Sequence, residues 1–291
     1  MKKRIRFIIN PVSGISNKAR LQEIIDQRID KAKFDTEIVS TEYGGHAREL
    51  AAHAVAQDYD AVVVAGGDGT VNEVASALAN TSLPLGIIPL GSGNGLAHHL
   101  KLPFNLNRAL QSISRLQTRS IDTYMVNGKF GCNLAGVGFD AHVAEKFAKV
   151  KRRGFWSYFK IVVREYPVYK PIQYQFTLQG NTFTRKALLV SFANSDQFGN
   201  GVAIAPEAKI DDGLLHVCIL SKVPLVEAPV LGQVMMLRLI NRTHYVEYIK
   251  TSEIILEQPA SLPYHIDGDP AGFSRELHVK VNPLSLNVIV P

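Results

Sequence analysis

Three glycine-bearing loops carry the residues best suited to chemistry. The sharpest reads Ala65-Gly66-Gly67-Asp68-Gly69-Thr70-Val71-Asn72-Glu73. Glycines let a backbone turn with φ > 0 and approach a ligand with no Cβ in the way. The apolar spacing of Val71, Val74, Ala75 and Leu78 predicts a helix opening near Thr70. Its free N–H groups and positive dipole end would face the same spot, so a triphosphate is the natural occupant. An ordinary glycine turn with Thr70 as N-cap would explain Gly-Gly alone. Asp68 argues for more, because a carboxylate beside phosphate needs Mg²⁺ or a proton between them.

Asn10-Pro11-Val12-Ser13-Gly14 is the second loop, with side-chain donors on Asn10 and Ser13 and a tight turn at Gly14. The third is Pro89-Leu90-Gly91-Ser92-Gly93-Asn94-Gly95. Each follows an apolar run of strand type: residues 5–9, 61–65 and 85–88. Strands at 36–40 and helices from Leu21 to Ile29 and over 47–56 complete a βαβα order, which predicts a parallel sheet with helices on both faces. In such a sheet the three loops fall at the carboxyl ends of strands, where ligands bind. The P-loop pattern, a Gly-x-Gly-x-x-Gly opening the first helix and the protein-kinase signatures are all missing.

After Ser120 the pattern changes to antiparallel strands. Asn127-Gly128 and Gly180-Asn181 read as hairpin turns. Strands are expected at 187–192, 214–220, 249–256, 277–281 and 285–290, with helices over 141–164 and 225–240. The domain boundary falls near residue 123, giving an α/β domain over 1–123 and a β-rich domain over 124–291.

The motifs resemble the diacylglycerol kinase catalytic-domain superfamily, which includes bacterial lipid kinases and sphingosine kinases. The resemblance rests on Asn10–Gly14, Gly66–Thr70 and Gly91–Asn94, and then on Ala135-Gly136-Val137-Gly138-Phe139-Asp140, Asp211-Asp212-Gly213-Leu214-Leu215 and Asp267-Gly268-Asp269. It implies an α/β nucleotide-binding domain, a β-sandwich-like domain whose last strand can return to the first, and an active site in the cleft between them. ATP would be held by Asn10, Ser13, Thr41, Gly66, Gly67, Asp68, Gly69, Thr70, Asn72, Ser92, Gly93 and Asn94. Asp68 would either orient Mg²⁺·ATP or deprotonate the acceptor. Asp267 and Asp269 match the family's Asp-Gly-Glu catalytic motif with Asp in place of Glu at 269, which leaves the base open between them. Asp140 falls where sphingosine kinases place an acidic residue near the lipid head group. Lys209, Asp212 and Leu214 match a structural Mg²⁺ site of some bacterial members, an all-oxygen set suited to a hard cation.

The resemblance implies a lipid substrate and a cytoplasmic enzyme peripheral to the membrane, and leaves a homodimer open. An NAD kinase shares the Gly-Gly-Asp-Gly-Thr loop, and a regulator that has lost catalysis would fit the Asp at 269. Composition agrees: net charge +6 suits an anionic partner, and 46% hydrophobic residues exclude a disordered chain. Charge is the only argument for nucleic acid, and no recognition motif supports it. No apolar run reaches the roughly 18 residues a membrane helix needs. Lys146, Lys149, Lys151, Arg152 and Arg153 precede Phe155, Trp156, Tyr158 and Phe159, as a segment meeting an anionic membrane would. The two cysteines, Cys132 and Cys218, form no disulfide framework.

Overall fold

The computed structural model describes residues 2–14, 18–150 and 154–291. The chain forms two compact units: Met1–Ile121 with Leu284–Pro291, and Asp122–Pro283.

The first unit is a parallel sheet. Its strands are β1 (Lys3–Ile9), β2 (Phe34–Ser40), β3 (Ala61–Gly66) and β4 (Leu85–Pro89), in the order β2-β1-β3-β4. All six residues of β3 and all five of β4 are buried. That is why their sequences are continuous apolar runs and not alternations. On one face, Leu21 and Ile25 of α1 (Lys18–Arg28) and Ala109, Leu110 and Ile113 of α5 (Leu106–Ile113) pack on Ile5, Phe7 and Val63. On the other lie α2 (His46–Ala56) and α3 (Asp68–Leu78), whose small residues Ala47, Ala51, Ala54 and Ala75 are fully buried. The short helix α4 (Gly95–His99) follows β4. The chain's last residues join this sheet, with Val288 paired in parallel to Leu85.

The second unit is antiparallel. Its strands are β5 (Thr118–Val126, which enters from the first unit), β6 (Lys129–Gly131), β7 (Leu134–Gly138), β8 (Ile172–Leu178), β9 (Asn181–Ala187), β10 (Leu189–Ala193), β11 (Leu215–Leu220), β12 (Val246–Thr251), β13 (Glu253–Ile266) and β14 (Asp269–Ile289). The path is β12-β11-β10-β7-β13-β14, with β8 against the early part of β13 and β9 on β8, and with β5 beside β14 and β6 on β5. Alternate residues point to one core: Ala135 and Val137, Val190 and Phe192, Val217 and Ile219, Leu277 and Val279. A slip of one residue would take each of these pairs off this core, so the register is fixed by burial.

Several expected elements differ. The helix expected over 141–164 is two, α6 (Phe139–Ala148) and α7 (Phe155–Glu165), because Gly154 stands at φ +145° and no helix runs through that angle. The helix expected over 225–240 shrinks to α8 (Ala228–Met236), with Pro229 in its first turn and Arg238 at φ +60° beyond its end. Residues 249–256 straddle two strands, separated at Ser252. The two strands expected at 277–281 and 285–290 belong to one, β14, which bends at Leu284 (φ +46°) where it passes from the second unit to the first. Asn127-Gly128 is a two-residue turn as expected, whereas the second hairpin turns on Gln179-Gly180.

Candidate active site

β1, β3 and β4 are neighbours in register, so their three loops leave the sheet side by side. The loops lock together through close backbone approach. A Cβ on Gly91 would stand 2.6 Å from the Cα of Gly67, and one on Gly14 2.2 Å from the carbonyl oxygen of Leu90. Gly14 also sits at φ +60°. The Asn10 side chain donates to Thr70 Oγ1 at 2.8 Å, tying the first loop to the start of α3. Asn94, itself in the left-handed region at φ +51°, clamps Gly91: its Oδ1 accepts from Gly91 N at 2.9 Å and its Nδ2 donates to Gly91 O at 2.6 Å.

Asp68 joins the second loop to the third. Its Oδ2 accepts from Asn94 N at 2.7 Å and its Oδ1 from Gly95 N at 2.9 Å. A carboxylate at the start of α4 offsets orphan N–H groups there. Thr41 follows β2 and is half-buried, its N–H donating to Ile9 O at 3.0 Å. Ser13 and Gly93 are half-buried on their loops, Asn72 is half-buried on α3, and Ser92 is exposed. Every residue assigned to ATP from the sequence therefore lies on or beside this cradle. Glu73, which carried no assignment, accepts from Gly45 N and Ala47 N and pins α2 to α3.

In the second unit, Asp267 and Gly268 form the two-residue turn joining β13 to β14, with φ +51° and +88° and Ile266 paired to Asp269. Those signs suit the Asp-Gly pair typical of such hairpins. Asp267 is buried and its carboxylate faces a ring of donors. Tyr124 Oη lies at 2.8 Å, Cys132 N at 2.9 Å, Asn133 N at 2.8 Å and Leu134 N at 3.1 Å, and the Cys132 thiol adds a fifth contact. Burial first, and then the Asp267 charge, push the Tyr124 phenol well up, so it stays a neutral donor. Asp269 stands at the outer end of the turn and is exposed.

Asp140 lies in the first turn of α6, buried over β7. Ser191, Gly136 and His265 stand abreast on β10, β7 and β13. The carboxylate occupies the space that a side chain on Gly136 would fill, since a Cβ there would be 2.2 Å from Asp140 Oδ2. Oδ2 meets His265 Nε2 at 3.1 Å and Ser191 Oγ at 3.5 Å. Burial first, with the Asp140 charge adding to it, raises Tyr158 and Tyr169, the latter to about 12; Tyr174 is raised by burial, then by Tyr169 and then by Asp140. The Tyr174 hydroxyl is buried without a hydrogen-bond partner.

Lys209, Asp212 and Leu214 share one turn with Gly213 at φ +73°. Asp212 is exposed and its Oδ1 accepts from Leu214 N at 3.1 Å, while buried Asp122 accepts from Gly213 N at 2.7 Å. One carboxylate with main-chain carbonyls is a fit donor set for a hard cation. Among the described residues no three His, Cys, Asp or Glu side chains cluster as a metal cage. Lys151, Arg152 and Arg153 lie outside the described residues.

Residues 4–126 match the diacylglycerol kinase catalytic domain, and residues 133–290 match the YegS C-terminal NAD kinase beta sandwich-like domain. A protein named diacylglycerol kinase from Staphylococcus saprophyticus is 31% identical over 94% of this chain and 90% of its own length. The chain belongs to the diacylglycerol kinase family. One from Staphylococcus aureus is 31% identical over 97% and 92%. A solved structure of a diacylglycerol kinase from Bacillus anthracis str. Sterne, 20% identical, has the same fold with a TM-score of 0.74 over 99% of this chain and 97% of that one.

Two further residues of this kinase, beside Glu73, had no assignment from sequence. His265, two positions before Asp267, contacts a carboxylate 125 residues away, a separation that no local pattern encodes. Asp122 organises the 210–213 turn from 91 residues away. The one local signal near either was the Asp-Gly-Asp motif following His265.

Proposed function

We propose that this kinase transfers the γ-phosphate of ATP to a hydroxyl group of a lipid of diacylglycerol, sphingoid or phosphatidylglycerol type. The observation carrying this reading is the three-loop cradle. Its glycines let the loops pack backbone to backbone and its Asp68 bracket holds two loops as one body. Phosphoryl transfer depends on positioning and charge neutralisation more than on covalent help from the protein, so a rigid cradle is the main requirement.

The acceptor oxygen attacks the γ-phosphorus, the bond to the β–γ bridging oxygen breaks, ADP leaves, and the hydroxyl proton passes to a carboxylate. Asp269 supplies it, because the oxygens of Asp267 already receive the donors that hold the turn. With one methylene fewer than Glu, Asp269 requires the hydroxyl to approach the turn more closely. Asp68 acts by positioning the loops around the triphosphate. Mg²⁺ bound with the nucleotide would neutralise charge on the β- and γ-phosphates. A second cation would suit Lys209, Asp212 and Leu214 as a brace of the turn.

Trp156, Phe159 and Val163 are 72%, 46% and 57% exposed at the i, i+3, i+7 positions of α7, one apolar stripe. Exposed Lys160 and Arg164 flank it. This supports peripheral contact with an anionic membrane, where the acceptor resides. Among the described residues no helix is long and apolar enough to cross one. In α8, Leu231 and Met235 belong to the core, which supports a packing helix.

The test is incubation with γ-labelled ATP, Mg²⁺, vesicles of different lipid hydroxyls, and NAD. Label is expected in at least one lipid. Label in NAD alone would overturn the reading in favour of an NAD kinase. Nucleotide binding with no transfer to any acceptor would make the chain a regulator.

A further inference from the structure

The turn that carries Asp269 has two residues, and each is tethered differently. Asp267 is fixed by the N–H groups of residues 132–134 and by Tyr124. Gly268 has the second place in the turn, where its N–H lies outside the strand ladder. That N–H donates to His265 Nδ1 at 3.3 Å. A ring nitrogen that accepts carries no proton, so in the neutral imidazole the proton sits on Nε2. Nε2 is the atom facing Asp140 Oδ2 at 3.1 Å, and a carboxylate selects that tautomer. His265 is 2% exposed, and its strand neighbours are Gly136 on β7 and Pro270 on β14. Gly136 makes the pairing possible, because a Cβ there would come 2.8 Å from Nε2 as well as 2.2 Å from Asp140 Oδ2.

We infer that His265 is a positioning residue for phosphoryl transfer: oriented by Asp140, it holds the Gly268 amide and thereby sets where the turn presents Asp269. The inference rests on the reading of Asp269 as the proton acceptor. Asp140 fixes the tautomer, the tautomer leaves Nδ1 able to accept, and the accepted N–H anchors the outer half of the turn. The buried imidazole thus links the first turn of α6 to the tip of the β13–β14 hairpin, and each contact uses a different ring nitrogen.

The two links can be cut separately. The amide of Asn overlays Nδ1 and can still accept from Gly268. That of Gln reaches the Nε2 position and can still donate to Asp140. Both variants bury one polar amide in place of one polar ring, so a purely structural role predicts similar damage from each. Positioning predicts a split. In His265→Gln, kcat should fall by about 10- to 100-fold, the cost of a misplaced reacting group. KM for ATP should stay within about threefold, because the cradle is untouched. His265→Asn should keep kcat within about threefold of the parent. Melting temperatures of both are recorded beside the kinetics.

A His265→Gln enzyme with parental kcat overturns the inference. So does equal loss in the two variants that follows their melting temperatures. A parent chain that labels no lipid, or an Asp269→Asn variant that remains active, instead overturns the reading of Asp269 and is seen before the His265 variants are compared.

Discussion

Asp267 and Asp269 are separated by one glycine and have opposite surroundings. Asp267 is buried beneath four oxygen and nitrogen donors, and Asp269 is exposed at the turn's outer end. Asp267→Asn would set an amide NH₂ against those donors and leave several unsatisfied. It should lower unfolding stability by about 3 kcal/mol, read by urea denaturation. Asp269→Asn should change stability by less than about 0.5 kcal/mol, as exposed substitutions do. It should reduce kcat by about 10²- to 10⁴-fold, the usual worth of a positioned base. A stable but inactive Asp267→Asn protein would reverse the two roles. The sequence named both carboxylates but could not rank them, since the motif reads the same whichever is buried. The ranking comes from a main-chain nest more than 130 residues away, and nothing in the spacing of Cys132, Asn133 and Leu134 announces it.

At the level of elements, the cradle depends on loops touching backbone to backbone. Gly91→Ala would drive a methyl to 2.6 Å from the Gly67 Cα. The Gly67 Cα is backbone and cannot swing aside, and the methyl would also crowd Asn94 Oδ1 at 2.8 Å, so the loops must part and the Asp68–Asn94 bracket must lengthen. Nucleotide affinity should fall by about tenfold or more, 1.4 kcal/mol or above, measured by calorimetric titration of the parent and variant proteins. Unchanged affinity would mean that the close approach of Gly67 and Gly91 does not shape the nucleotide site. The strands and helices around these loops were legible because a buried parallel strand is an uninterrupted apolar run, as in Ala61–Gly66. The breaks were harder to read. Gly154 and Leu284 change the chain's course through backbone angle alone, and a single apolar or glycine residue inside a periodic pattern carries no mark of that angle.

On the scale of the molecule, the second unit buries several phenols whose ionisation burial opposes. Tyr124, Tyr158 and Tyr174 are all held above the ordinary tyrosine range, chiefly by loss of solvent. A group with a raised folded pKa contributes in full below its unfolded value and loses that contribution as pH rises toward the folded one. The contribution of these phenols should therefore hold from neutral pH to about pH 10, the value for unfolded tyrosine, and fall above it. Exposed phenols such as Tyr43 can ionise in the folded chain, whereas the phenolate absorbance of the buried ones should appear together with the loss of circular dichroism. Ionisation of all ten phenols near pH 10 while the fold persists would contradict the burial. The division into a parallel α/β half and an antiparallel half was legible from the switch in periodicity. The return of the last strand to the first unit was implied by the family resemblance, but its continuity with the strand before it was not legible, because Asn282-Pro283 reads as a break between two strands.

That strand, β14, starts at Asp269 in the second unit and ends at Ile289 in the first. During synthesis the first unit emerges from the ribosome early, yet β4 receives its parallel partner around Val288 only after the whole of the second unit has been made. The half that is translated first is thus the half completed last. Until residues 284–291 appear, the nascent first unit carries an open sheet edge, and the hairpin bearing the proposed base is already made by then. The sheet of the first unit is therefore completed only after residues 284–291 have been made.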